Sequence, residues 1–115
     1  MNIESIDTHF TGKGPNVRAV YDALMGELRK LGPVTESPKQ TSIHLDRKNA
    51  FAAVSTRKAA LILNFRNDYE VKSPRLTKVE KHSAHRWMHY VKLEQPAQID
   101  AELIQWLADA YQLAG

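Results

Sequence analysis

The sequence predicts an α+β fold. It is a two-layer sandwich running helix, antiparallel meander of five or six strands, helix, with both helices on one sheet face. Three observations predict it. Apolar residues recur every three or four positions near each end of the chain, and they alternate with a period of two between those stretches. The breaks within the alternating part are too short for crossovers, so neighbouring strands run antiparallel. A length of 115 residues makes residues 1–115 one domain on the usual size scale.

Residues 1–14 read as an N-terminal loop or arm closing on Gly12-Lys13-Gly14. Val17, Val20, Tyr21, Leu24, Met25, Leu28 and Leu31 then share one helical face, which predicts a helix over 15–31. Pro15 suits its first turn, and Gly32-Pro33 supplies its stop. The sheet is expected over 33–93. TSIHL, AFAAV, ALILNF, LTKVEKH and RWMHYVKL carry the strand period, and a short strand near Val34 precedes them. Leu103, Trp106, Leu107, Ala110 and Tyr111 predict the last helix, over 100–114, with Asp100 as N-cap and Ile99 and Ile104 as a hydrophobic staple.

No run of about 18 apolar residues exists to span a membrane. The opening MNIESIDTHF lacks the basic and apolar regions of a secretory signal. Without cysteine there is no disulfide, thiolate metal site or cysteine nucleophile, which fits a cytoplasmic protein. The net charge of +3 hides an asymmetry: Lys39 to Lys92 holds twelve Lys/Arg against four acids, while the rest holds four against nine. Such a distribution speaks to partners rather than to fold.

The segment KHSAHRWMHY carries His82, His85 and His89. On a helix the three imidazoles would share a face and suit zinc or iron. The alternating flanks Val79, Trp87, Tyr90 and Val91 are strand-like instead. His85 and His89 then stand about 13 Å apart at roughly 3.3 Å per residue, too far to share an ion. A three-residue loop, Ser83-Ala84-His85, separates polar from apolar best and puts His82 and His89 on opposite faces. No metal site and no cofactor is expected. His89 reads as a core or core-edge histidine bonded to backbone, with His82 and His85 exposed at the hairpin.

The same alternation puts Ile43, Leu45, Leu61, Leu63, Phe65, Val79, Trp87, Val91 and Leu93 under the helices. Ser42, His44, Asp46, Ile62, Asn64, Arg66, Lys78, Glu80, Arg86, Met88, Tyr90 and Lys92 fall on the open face. That surface is biased positive and carries one aromatic ring, a platform on which phosphates and a stacked base could sit. It lacks the two or three rings and the signature of an RNA-recognition domain. The bland reading is that lysines keep exposed strands from pairing at their edges. Gly12-Lys13-Gly14 lacks the phosphate-loop spacing. Ser42 and His44 share a face but stand about 6–7 Å apart, too far for a direct hydrogen bond. An assembly of His44, Asp46 and Tyr90 is the one catalytic arrangement left open.

HFTGK, VRAVYDAL, KQTSIHL with the following AFAAV, SPRLTKVE, HRWMHYVKL and IDAELIQWLADAY follow one another over nearly the whole chain. In that order and spacing the sequence resembles the bacterial domain-of-unknown-function family numbered 5655. The resemblance implies a small domain, standing alone or appended to others, and brings no activity to carry over. The helix–meander–helix order is also similar to frataxins, in which an acidic ridge on the first helix and strand binds iron. Here the first helix offers only Asp22 and Glu27 among Arg18, Arg29 and Lys30, which speaks against that role.

The expectation is a non-enzymatic binding module whose basic open sheet face captures a phosphate-bearing partner such as nucleic acid. The candidate binding residues are Lys39, His44, Arg66, Lys78, Arg86, Tyr90 and Lys92. The alternatives are a small-molecule-binding domain or enzyme with a pocket near His44 and Tyr90, and a protein-interaction or dimerisation domain.

Overall fold

The computed structural model describes residues 5–115. Its first helix, Pro15–Leu28 (α1), starts with proline and buries Val17, Val20, Tyr21, Leu24, Met25 and Leu28. It ends three residues earlier than its periodicity predicts. Lys30 and Leu31 donate to the carbonyls of Glu27 and Leu28, tightening the chain into a three-residue turn before Gly32 at φ 147°. The segment expected as loop before the helix contains a 3-10 turn at Asp7–Phe10. The turn anchors Phe10, whose ring centre lies 5.1 Å from that of Tyr21. Only Ser5 to Gly14 of the expected arm lie within the described residues.

Six strands follow: β1 (Thr35–Pro38), β2 (Ile43–Asp46), β3 (Ala50–Thr56), β4 (Leu61–Asn67), β5 (Leu76–Ser83) and β6 (Arg86–Leu93). The second helix, α2, spans Ala101–Leu113. Asp100 caps it by accepting the N–H of Leu103 at 3.0 Å. All strand pairs are antiparallel. Both helices pack against the sheet to give the expected two-layer α+β fold, with α2 over β3 and β4 and α1 beside it.

The strand order departs from a simple meander. It runs β1-β2-β3-β4-β6-β5, so β6 lies inside the sheet and β5 forms its edge. The strand patterns explain the exchange. β6 buries His89, Val91 and Leu93, whereas no residue of β5 is buried. The more apolar strand takes the place under the helices. The chain from Asp68 to Arg75 is long enough to carry β5 past that place, and Val71 pins it to the core. Val79, expected under the helices, is consequently 36% exposed on the edge strand.

Two irregularities shape the site. Ser83 pairs with Arg86, so the β5–β6 hairpin closes on the two residues Ala84-His85, rather than on the expected three. The register shifts between Lys81 and Ser83, which makes His82 an extra residue. That bulge restores the phase, and Lys78, Glu80, Met88 and Tyr90 keep the face predicted for them. The second irregularity lies in β3. Leu45 pairs with Ala52 and Asp46 with Ala50, which leaves Phe51 as a bulge residue. Its ring is buried edge-on against Tyr111, at 5.3 Å between centres.

Candidate functional site

Cross-strand register brings Ser37, His44, Ala53, Asn64, Tyr90 and Lys78 into one row across the open face, from one edge of the sheet to the other. Alanine at the middle of a row of long polar side chains leaves a hollow of about 320 Å³. His44, Asn64, Arg66 and Tyr90 wall it, with Ser42 and Met88 at its ends. The next row holds Arg66, Met88 and Glu80.

The predicted candidates separate into groups. His44, Arg66 and Tyr90 share the hollow, and Arg66 also lines a second one with Arg86. Lys39 lies in the β1–β2 turn, where its N–H donates to the Ser42 carbonyl at 2.7 Å, and its side chain does not line the hollow. Lys92 faces outward opposite Ile62, likewise outside the lining. Lys78 sits beside Tyr90 but is engaged by Glu80.

Glu80 gathers that corner. Its carboxylate stands 3.0 Å from the Lys78 ammonium and 3.5 Å from the His82 ring, and it accepts the Tyr90 hydroxyl at 3.0 Å. Lys78 and then Tyr90 hold the Glu80 carboxyl below its usual range, and Glu80 in turn raises the Lys78 ammonium. Burial, followed by the bond to Glu80, pushes the Tyr90 phenol up. Asp46, farther along the face, accepts the Ser37 hydroxyl at 2.7 Å. On the positively biased face expected from the sequence, Asp46 and Glu80 lie in the rows that the alternation predicts for them, one cation is paired, and the one ring has its hydroxyl bound.

Arg66 is different. Its Nε is buried and has no hydrogen-bond partner among the described residues. The reason lies in the β3 bulge. Pairing of β3 with β4 stops at Ala52 and Phe65, although β3 begins at Ala50 and β4 continues to Asn67. The two strands splay there, and the gap opens into a second hollow of about 610 Å³. Phe51, Leu113 and Asp68 line it together with Arg66, and His85 and Arg86 stand at the hairpin rim. Ala50, Phe51 and Arg66 belong to both hollows. Sequence reasoning missed Phe51 and Leu113. AFAAV reads as a regular strand, and nothing in it announces an extra residue.

His89 plays another part. It is fully buried, its ring stacks on Phe65 at 4.9 Å, and its Nε2 accepts the Val71 N–H at 2.9 Å. Burial pushes its pKa below the ordinary histidine value, against smaller opposing contributions from the Phe65 backbone and Glu70. This is the core histidine bonded to backbone that strand periodicity predicts. His82 and His85 are exposed at the hairpin, and His82 lies on the face opposite to His89. Among the described residues no three His, Asp or Glu side chains are grouped to hold a metal ion. No helix among them is long and apolar enough to cross a membrane.

A family model described as Domain of unknown function (DUF5655) matches residues 6–114, and the chain belongs to that family. No curated protein and no solved structure matches the chain, which leaves the likeness to frataxins without support.

Proposed function

We propose that this DUF5655 domain is a binding module that captures a phosphate-bearing partner at Arg66. The observation that carries this reading is the buried, unpartnered Arg66 Nε at the meeting of two hollows. A buried donor without an acceptor costs about 1–3 kcal/mol, so an arriving oxyanion gains a bond that nothing in the free domain already makes. Guanidinium and phosphate match in a two-pronged, charge-assisted geometry. His44 and Asn64 line the same hollow and offer hydrogen bonds for orientation. Both volumes fall in the range of small-ligand sites, roughly 300–1,000 Å³.

A terminal phosphate or phosphate monoester suits this arrangement better than an extended nucleic-acid strand. A strand would need several stacking rings and a run of free cations. Here Tyr90 is the one ring of the face, and Lys78 is paired with Glu80.

The test is an NMR titration following the Arg66 Nε–H resonance. Inorganic phosphate, phenyl phosphate, and one DNA oligonucleotide with and without a 5′-phosphate would be added in turn. Capture at Arg66 shifts that resonance, favours the phosphorylated oligonucleotide over its unphosphorylated twin, and disappears in Arg66→Gln. An unmoved resonance, or binding that Arg66→Gln leaves unchanged, would overturn the reading.

A further inference from the structure

We infer that the ligand is a phosphate monoester carrying a ring, with its phosphate on Arg66 and Arg86 and its ring in the larger hollow against Leu113. This deepens the reading above and rests on it for the phosphate.

The ends of β3 and β4 beside Arg66 are splayed. Because their pairing stops at Ala52 and Phe65, Arg66 stands in a gap rather than over a closed ladder, and one wall of that gap is the bulge residue Phe51. On the far side lies the last turn of α2, and its Leu113 is 53% exposed. An aliphatic side chain at the rim of a concave site gives an arriving apolar group a surface to cover, which is favourable per unit of apolar area removed from water. Facing it across the hollow, the β5–β6 hairpin contributes Arg86 and His85. A second cation therefore stands on the same opening as Arg66.

Charge narrows the class further. Asp68 also lines the larger hollow. A carboxylate there disfavours a second phosphate group and offers an acceptor to a hydroxyl or amine on the ring-bearing part. One anionic head and one neutral, planar body fit that distribution. An aryl phosphate or a nucleoside monophosphate has this form, and inorganic phosphate or a sugar bisphosphate does not.

Calorimetric titrations of the whole chain with inorganic phosphate, phenyl phosphate and adenosine 5′-monophosphate test the inference. Leu113→Ser and Arg86→Gln serve as variants, and both positions are exposed, so both should fold. The ring-bearing esters are expected to bind roughly tenfold or more tightly than inorganic phosphate. Leu113→Ser should bring that ratio toward one while leaving inorganic phosphate unchanged, and Arg86→Gln should weaken all three. Phosphate binding that depends on Arg66 but shows no ring preference, or a preference that Leu113→Ser does not touch, overturns this inference and leaves the Arg66 reading standing. No binding of any of the three overturns both.

Discussion

The imidazole of His89 and the backbone of Val71 join the sheet to the connection between β4 and β5. Nε2 accepts the Val71 N–H at 2.9 Å, and the ring stacks on Phe65, which stacks in turn on Trp106 of α2 at 5.8 Å. The acceptor role requires the neutral ring. Burial already depresses the His89 pKa, so the folded state binds this proton less readily than the unfolded chain does. Stability contributed here is present above the unfolded-state value of about 6.5 and is lost as pH falls below it and through the lower folded value. Urea unfolding across that window should show the decline, and His89→Gln, which keeps an acceptor that does not titrate, should flatten it. An unchanged pH dependence in His89→Gln would remove His89 as its source.

Arg75 closes the same connection at its other end. Its guanidinium donates to both Asp100 oxygens at 2.9 and 3.0 Å, to Glu102 at 3.0 Å and to the Gln98 carbonyl at 2.8 Å, and it lies over the Trp106 ring. Asp100 is also the N-cap of α2, and Arg75 holds its carboxyl below the usual range. The acids are about half exposed, which screens the pairing. Arg75→Ala should therefore cost about 1–2 kcal/mol. Arg75→Lys should recover little of it, because an ammonium cannot reproduce the fork. Denaturant midpoints would decide, and a change within about 0.5 kcal/mol in Arg75→Ala would show the network to be solvated.

Two glycines should respond with opposite signs. Gly32 holds φ at 147°, and a Cβ there would run into the Tyr111 hydroxyl, which donates to the Pro33 carbonyl at 2.9 Å. Gly26 sits within α1, and a Cβ there would meet nothing within 4 Å. Gly32→Ala should destabilise by about 1–3 kcal/mol. Gly26→Ala should stabilise by about 0.5–1 kcal/mol, because alanine is better suited to a helix. Thermal melts of the two variants beside the parent check both signs.

These contrasts mark how far the sequence could be read. The helices, the sheet faces and the buried His89 followed from periodicity, because burial of one face is a property of every second or every third to fourth residue. The edge position of β5 depended on comparing two strands for the same place, and the poverty of buried residues in LTKVEKH is visible only once that competition is posed. The bulge at Phe51 was not legible at all. Its consequence, a gap beside Arg66, belongs to pairing across two strands rather than to any one segment. Arg66 itself was among the candidates as one cation of a broad basic face. Phe51 and Leu113 were not, since an apolar residue in a strand or helix reads as core.

The Glu80 cluster sets the charge of the neighbouring rows and yields a functional prediction. Glu80 binds Lys78, the Tyr90 hydroxyl and His82 together, so its charge cancels a cation on the open face and immobilises the one ring there. Glu80→Gln keeps the size and removes the charge. Lys78 is then free to meet an anion, and the face gains one positive charge beside the smaller hollow. If the phosphate binds where Arg66 and Tyr90 meet, affinity for a 5′-phosphorylated oligonucleotide should rise by roughly twofold to tenfold at low salt, with a steeper dependence on salt. The Tyr90 phenol should also titrate closer to its ordinary value, though not at it, since burial, the largest single cause of its shift, remains. Fluorescence anisotropy reads the first change and ultraviolet titration the second. A phenol that shifts while affinity and salt slope stay constant would place the bound phosphate away from Tyr90, on the Arg86 side of Arg66.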